Sequence, residues 1–89
     1  MIARSVTITN RLGLHARAAT RLVNCASAFT AEILIRKGTR TVNGKSIMGV
    51  LTLAAATGTE ITIEADGEDE ALAMNAVVQL ISNRFGEDQ

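Results

Sequence analysis

The chain has no proline, no tryptophan, no tyrosine, two phenylalanines, one cysteine and one histidine in 89 residues. Aromatics make up 2% of the chain and hydrophobic residues 47%, so any core must be built from Ile, Leu, Val, Ala and Met. The lone Cys25 excludes an internal disulfide and a cysteine-based zinc cluster. It fits a reducing cytosol. One His and one Cys do not assemble a Ser/His/Asp set or a metal cluster, and no paired-carboxylate site stands out. No cofactor and no metal are therefore expected. No charged-then-apolar leader opens the chain, and no apolar run approaches the roughly 18 residues of a membrane helix. The expectation is a soluble, unexported, cytoplasmic protein formed by one domain over residues 1–89.

Net charge is zero, but the charges are not spread evenly. Residues 1–45 carry eight Arg/Lys and one acid, for +7; residues 46–89 carry Arg84 and eight acids, for −7. A basic half suits a phosphate, an acidic protein or nucleic acid. Two solvated faces without a partner explain it equally well.

Residues 2–9 alternate, with Ile2, Val6 and Ile8 on one side and Ser5, Thr7 and Thr9 on the other, as a half-buried strand does. Residues 10–13 read as a turn that Gly13 makes possible. Residues 16–28 predict an Ala-rich helix whose inward stripe is Ala16, Ala19, Val23 and Ala26, with Leu22 beside it. Arg17 and Arg21, four apart, share its exposed face. Residues 31–36 and 40–42 predict a hairpin. Residues 46–54 predict a short helix capped by Ser46. Residues 59–65 predict a strand with Ile61, Ile63 and Ala65 inward. Residues 68–85 predict the longest helix, with a buried stripe of Ala71, Met74, Val78, Ile81 and Phe85, and Val77 beside it. Residues 86–89 read as a frayed tail. The order β-α-β-β-α-β-α predicts an α+β open-faced two-layer sandwich: a four-stranded antiparallel sheet with three helices on one face.

His15 falls at the start of the first helix, between Arg11 and Arg17. The first N–H groups of a helix lack internal partners and favour anions. Arg17 adds a planar two-pronged donor for phosphate oxygens. A neutral imidazole is a good nucleophile near pH 7. The set suits a phosphoryl group carried on a ring nitrogen, yet a histidine at a helix start is also a common capping or surface residue. Spacing alone leaves both readings open. Cys25 on an Ala-rich helix reads as a small packing residue. Gly44-Lys45-Ser46 is not a phosphate-binding loop, because the first glycine of that motif would fall on Thr39. Met48 lies off the inward stripe of its helix, beside Ile47, and an exposed Met/Ile patch suits docking.

Leu12-Gly13-Leu14-His15-Ala16-Arg17-x-Ala19 and Gly44-Lys45-Ser46-Ile47-Met48-Gly49-Val50-Leu51 together resemble the two signatures of the HPr family, the histidine-containing phosphocarriers of the bacterial phosphotransferase system. The resemblance implies that His15 takes a phosphoryl group on Nδ1 from phosphorylated enzyme I and passes it to enzyme IIA domains. Such a protein is a covalent carrier in a relay rather than a stand-alone enzyme. The resemblance implies a catalytic role for Arg17 and regulatory phosphorylation of Ser46 by an HPr kinase/phosphorylase. It implies docking through Thr20, Arg21, Ile47, Met48 and Leu51. One departure is Ala18, where the family usually has proline, a residue suited to the first helical turn. Both the sugar branch and the nitrogen-related paralogue NPr fit the sequence. From another class, a small nucleic-acid or partner-binding module remains an alternative, although the strands carry no aromatics for base stacking. A monomer without nucleic acid or membrane insertion is expected.

Overall fold

The computed structural model describes residues 1–89. Its elements run β1 (Ile2–Thr7), α1 (Ala16–Ser27), β2 (Glu32–Lys37), β3 (Arg40–Asn43), α2 (Ile47–Thr52), β4 (Glu60–Asp66) and α3 (Glu70–Ser82), followed by one 3-10 turn at Arg84–Gly86. The four strands form one antiparallel sheet in the order β1-β4-β2-β3. The cleanest alternation in the sequence becomes the inner strand β4, whose Ile61, Ile63 and Ala65 are buried. Val6 stands opposite Ile61 across one ladder, and Ile35 opposite Ile63 across the other. The three helices cover one face of the sheet. α3 packs on β1 and β4, and α1 packs between α3 and α2. The expected open-faced sandwich is the fold observed.

The core is aliphatic, as the shortage of aromatics requires, with Phe85 the one ring wholly inside it. Three inward faces differ from the periodic reading. β1 is an edge strand, so Ile2 stays exposed and Val6 is half-buried. Ile8 lies beyond its end, fully buried and bonded on both sides to the loop at 58–59. α1 buries Ala18, Ala19, Leu22 and Ala26, while Ala16 is exposed and Val23 half-buried. The helix is rotated so that Leu22, its largest apolar side chain, points inward, where burial yields most. α3 buries Ala73, Met74, Val77 and Ile81, leaving Ala71 exposed and Val78 half-buried.

Helix ends also differ. α2 stops at Thr52, and Ala54 beyond it has left-handed backbone (φ 49°). Only Val50 of α2 is buried; Ile47 and Ala54 are exposed. α3 begins at Glu70, because the Asp69 carboxylate accepts from Thr30 and Ala31 N–H at 2.9 and 2.8 Å. It ends at Ser82, because Arg84 and Phe85 adopt φ of 55° and 56°. Phe85 therefore reaches the core from the final turn and not from the helix.

Candidate functional site at the start of helix α1

The site begins where β1 gives way to the turn. Gly13 has φ +67°, and a Cβ there would lie 2.5 Å from the Ala55 carbonyl oxygen. Its neighbour Leu14 donates its N–H to that same oxygen at 2.9 Å. Only glycine combines this backbone conformation with so close an approach. The turn delivers His15 to the N-cap of α1 in an extended conformation (φ −76°, ψ 179°). The first helical bond runs from Ala19 N–H to the His15 carbonyl, and the His15 side chain caps nothing. The N–H groups of residues 16 and 17, both exposed, thus remain available to an anion, and no acid occupies the first turn.

The His15 ring is 28% exposed, and its Nε2 lies 2.5 Å from Oε2 of Glu87. No other hydrogen bond involves the ring, so Nδ1 is unbonded. Arg17 is exposed and its guanidinium holds no carboxylate. His15 and Arg17 line one cleft of about 790 Å3 together with Arg11, Glu87, Asp88 and Gln89.

The tail does not fray, contrary to expectation. Phe85 is anchored in the core, and Gly86 (φ 78°) turns the chain back towards α1. Arg21 donates to the Phe85 carbonyl, and Arg11 donates to Gln89 Oε1 at 3.0 Å. Asn10, fully buried, donates to Glu87 Oε1 at 2.9 Å and to the Gly13 carbonyl at 2.8 Å. Burial of Glu87 opposes its ionised form, but the hydrogen bonds from Asn10 and His15 and the nearby charge of Arg21 outweigh it. The carboxyl is held below its ordinary value. An ionised carboxylate only accepts, so the hydrogen between it and the imidazole sits on Nε2.

The other expected site residues stand apart from this cleft. Ser46 caps α2, its Oγ accepting from Gly49 N–H at 3.2 Å. Ile47 and Met48 are exposed at 38% and 69%, which makes a patch possible; Leu51 is half-buried. Thr20 and Arg21 are exposed on α1, the helix packed against α2, with Thr20 Oγ1 donating to Ala16 O at 2.8 Å. Arg21 also holds the tail, a task the sequence did not show. The basic half is partly engaged internally: Arg36 pairs with Glu64 at 2.8 Å, and Lys37 and Lys45 donate to the Leu53 and Phe29 carbonyls. Asn10 and Glu87 were missed as site residues. The available signal was Phe85-Gly86, an aromatic that an aliphatic core would bury followed by a residue able to reverse the chain.

A ring nitrogen, an exposed guanidinium and the start of a helix share one cleft, an arrangement suited to an anion such as a phosphoryl group. The family model described as "PTS HPr component phosphorylation site" matches residues 2–83. The chain is 51% identical to the phosphocarrier protein HPr of Neisseria meningitidis, over the whole of both chains. It superposes on a crystal structure of HPr-C-His from Thermoanaerobacter tengcongensis with a TM-score of 0.96, at 40% identity and full coverage of both chains. A structure described as an HPr dimer from the same organism matches with a TM-score of 0.79 at 41% identity, covering 98% of this chain and 100% of that one. The chain belongs to the HPr family, the phosphocarrier proteins of the phosphotransferase system.

Proposed function

We propose that His15 is the phosphoryl acceptor, loaded by phosphorylated enzyme I and unloaded to enzyme IIA domains. The observation that carries this reading is the state of the ring. Nε2 is occupied by Glu87 while Nδ1 is unbonded, at a helix start with open N–H groups. In the transfer, the Nδ1 lone pair forms a bond to phosphorus. The donor–phosphorus bond breaks, its electron pair stays with the donor, and the phosphoryl oxygens travel unchanged. The Nε2 proton stays in place. Arg17 and the N–H groups of residues 16 and 17 bind the oxygens, in transit and on the carrier.

The rest of the proposal follows the family. Residues 1–89 act as one domain. Thr20, Arg21, Ile47, Met48 and Leu51 form the docking surface, and Ser46 is the target of an HPr kinase/phosphorylase. A phosphate on Ser46 would sit at the start of α2, where N–H groups tolerate it, and its charge would repel an acidic partner. The carrier works as a monomer, which light scattering checks, since one similar structure is described as a dimer. No helix is long and apolar enough to cross a membrane. Ala18 is fully buried in the first turn of α1, so the missing proline bears on how firmly that turn is set.

The deciding experiment is intact-protein mass spectrometry after incubation with phosphoenolpyruvate and enzyme I, then acid. An adduct that acid removes identifies phosphohistidine, and the chain has a single histidine. No adduct with either a sugar-branch or a nitrogen-branch enzyme I rejects the reading. The faster of the two assigns the branch.

A further inference from the structure

We propose that Glu87, clamped by Asn10, is a positioning residue for phosphoryl transfer at His15: its carboxylate holds the imidazole with the proton on Nε2 and so presents Nδ1 to the phosphorus. This rests on the carrier reading of His15.

The geometry is a relay of three side chains. The Asn10 amide is wholly buried, and both its N–H groups are engaged, one on the Gly13 carbonyl at 2.8 Å and one on Glu87 Oε1 at 2.9 Å. Both partners can only accept, which fixes the orientation of the amide. The second carboxylate oxygen is 2.5 Å from His15 Nε2. A carboxylate held at one oxygen cannot rotate away from the ring, and a ring bonded at Nε2 cannot swing freely about its side chain. The same amide ties the turn before His15 to the tail behind it, so ring and carboxylate share one anchor.

The tail is built to hold this position. Arg84 and Phe85 adopt left-handed backbone, which L residues avoid, and Gly86 follows with φ 78°. Phe85 is locked in the core, and Arg21 donates to its carbonyl. Strained backbone held by core packing two residues before a carboxylate marks a segment whose placement matters. The charged and titratable groups near the carboxylate are His15 at the start of α1 and Arg21 one turn on, with Arg17, Arg11 and Asp88 lining the same cleft.

The chemistry needs such a group. As the Nδ1 pair is committed to phosphorus, positive charge grows on the ring and is shared with Nε2–H. A carboxylate at Nε2 stabilises that charge without removing the proton. The balance of the transfer step is unaltered, because Glu87 neither gains nor loses a proton.

The test measures steady-state phosphoryl uptake from phosphoenolpyruvate through enzyme I by the full chain, its Glu87→Gln and Glu87→Ala variants, and Glu87→Asp. Ring-nitrogen NMR of each free protein runs in parallel. The expected result is a kcat lower by roughly 10- to 100-fold for the Gln and Ala variants. KM for the carrier stays unchanged, the hydrogen-bonded Nε2–H signal is lost in Glu87→Ala, and Glu87→Asp recovers part of the rate. Unchanged kcat with wild-type uptake intact overturns the proposal and leaves His15 as the acceptor. Faster uptake by the variants also overturns it, making the tail a cover over the ring. Absence of uptake by the wild type itself removes the carrier reading, and the positioning role with it.

Discussion

Asn10 and Glu87 stand 77 positions apart in the chain and meet through a 2.9 Å hydrogen bond. That bond makes the C-terminal tail part of the wall around His15. Asn10→Asp would place a buried acceptor against two acceptors, the Gly13 carbonyl and the Glu87 carboxylate. The expected loss is about 1–3 kcal/mol of stability, which is roughly 4–8 °C of Tm per kcal/mol in a domain of this size. Thermal unfolding measures the loss. Amide hydrogen exchange should show residues 86–89 released before the core opens.

Gly13→Ala meets two obstacles at once, a left-handed φ and a Cβ 2.5 Å from the Ala55 carbonyl oxygen. The oxygen belongs to backbone that also binds Leu14, so it cannot move aside cheaply. A loss of about 1–3 kcal/mol is expected. It is read as a lower urea midpoint with an unchanged m-value.

The Glu87 carboxyl titrates below its ordinary value, so the sign of its pH effect is determined. The stability it contributes is fully present above the unfolded carboxyl value, near about 4.3. It is lost as pH falls through the lower folded value. Asp69 and Glu70 are also lowered, by the backbone N–H groups of Thr30 and Gly67 respectively as the leading causes, and they act in the same direction. The share belonging to Glu87 is therefore the difference between the acid-unfolding curves of wild type and Glu87→Gln. The two curves should run parallel at neutral pH and converge as pH falls below that window.

Ser46 can be tested in both its roles. Ser46→Ala removes the acceptor for Gly49 N–H and should cost about 1 kcal/mol. Ser46→Asp keeps an acceptor at the helix start, so stability should hold. Its added charge should slow phosphoryl uptake from enzyme I. Uptake at the wild-type rate would remove the proposed regulatory mechanism.

His15→Ala should abolish uptake with the fold retained, since the ring caps nothing in α1. Arg17→Ala should slow uptake while shifting stability by no more than about 0.5 kcal/mol, because its exposed side chain holds no partner. Together the two variants separate the acceptor from the group that steadies the phosphoryl oxygens.

The amino-acid sequence by itself determined the element order, the antiparallel sandwich, the Ser46 cap and the placement of His15 and Arg17 at a helix start. Each of these is written in short-range patterns: alternation at 61, 63 and 65, a capping serine before an apolar run, a glycine before a helix. Tertiary structure decided the rest. The inward face of α1 is set by which side of Leu22 meets the core, and Ala16 and Val23 are displaced from it as a result. The end of α3 is set by Phe85, which turns into the core through left-handed backbone where a continuing helix was expected. The fate of the tail follows from that turn. No local pattern links Glu87 to Asn10 and His15; only closure of the fold brings residues from opposite ends of the chain within hydrogen-bond reach. Periodicity reports how a segment partitions between water and core, and it carries no information about which distant segment supplies the partner.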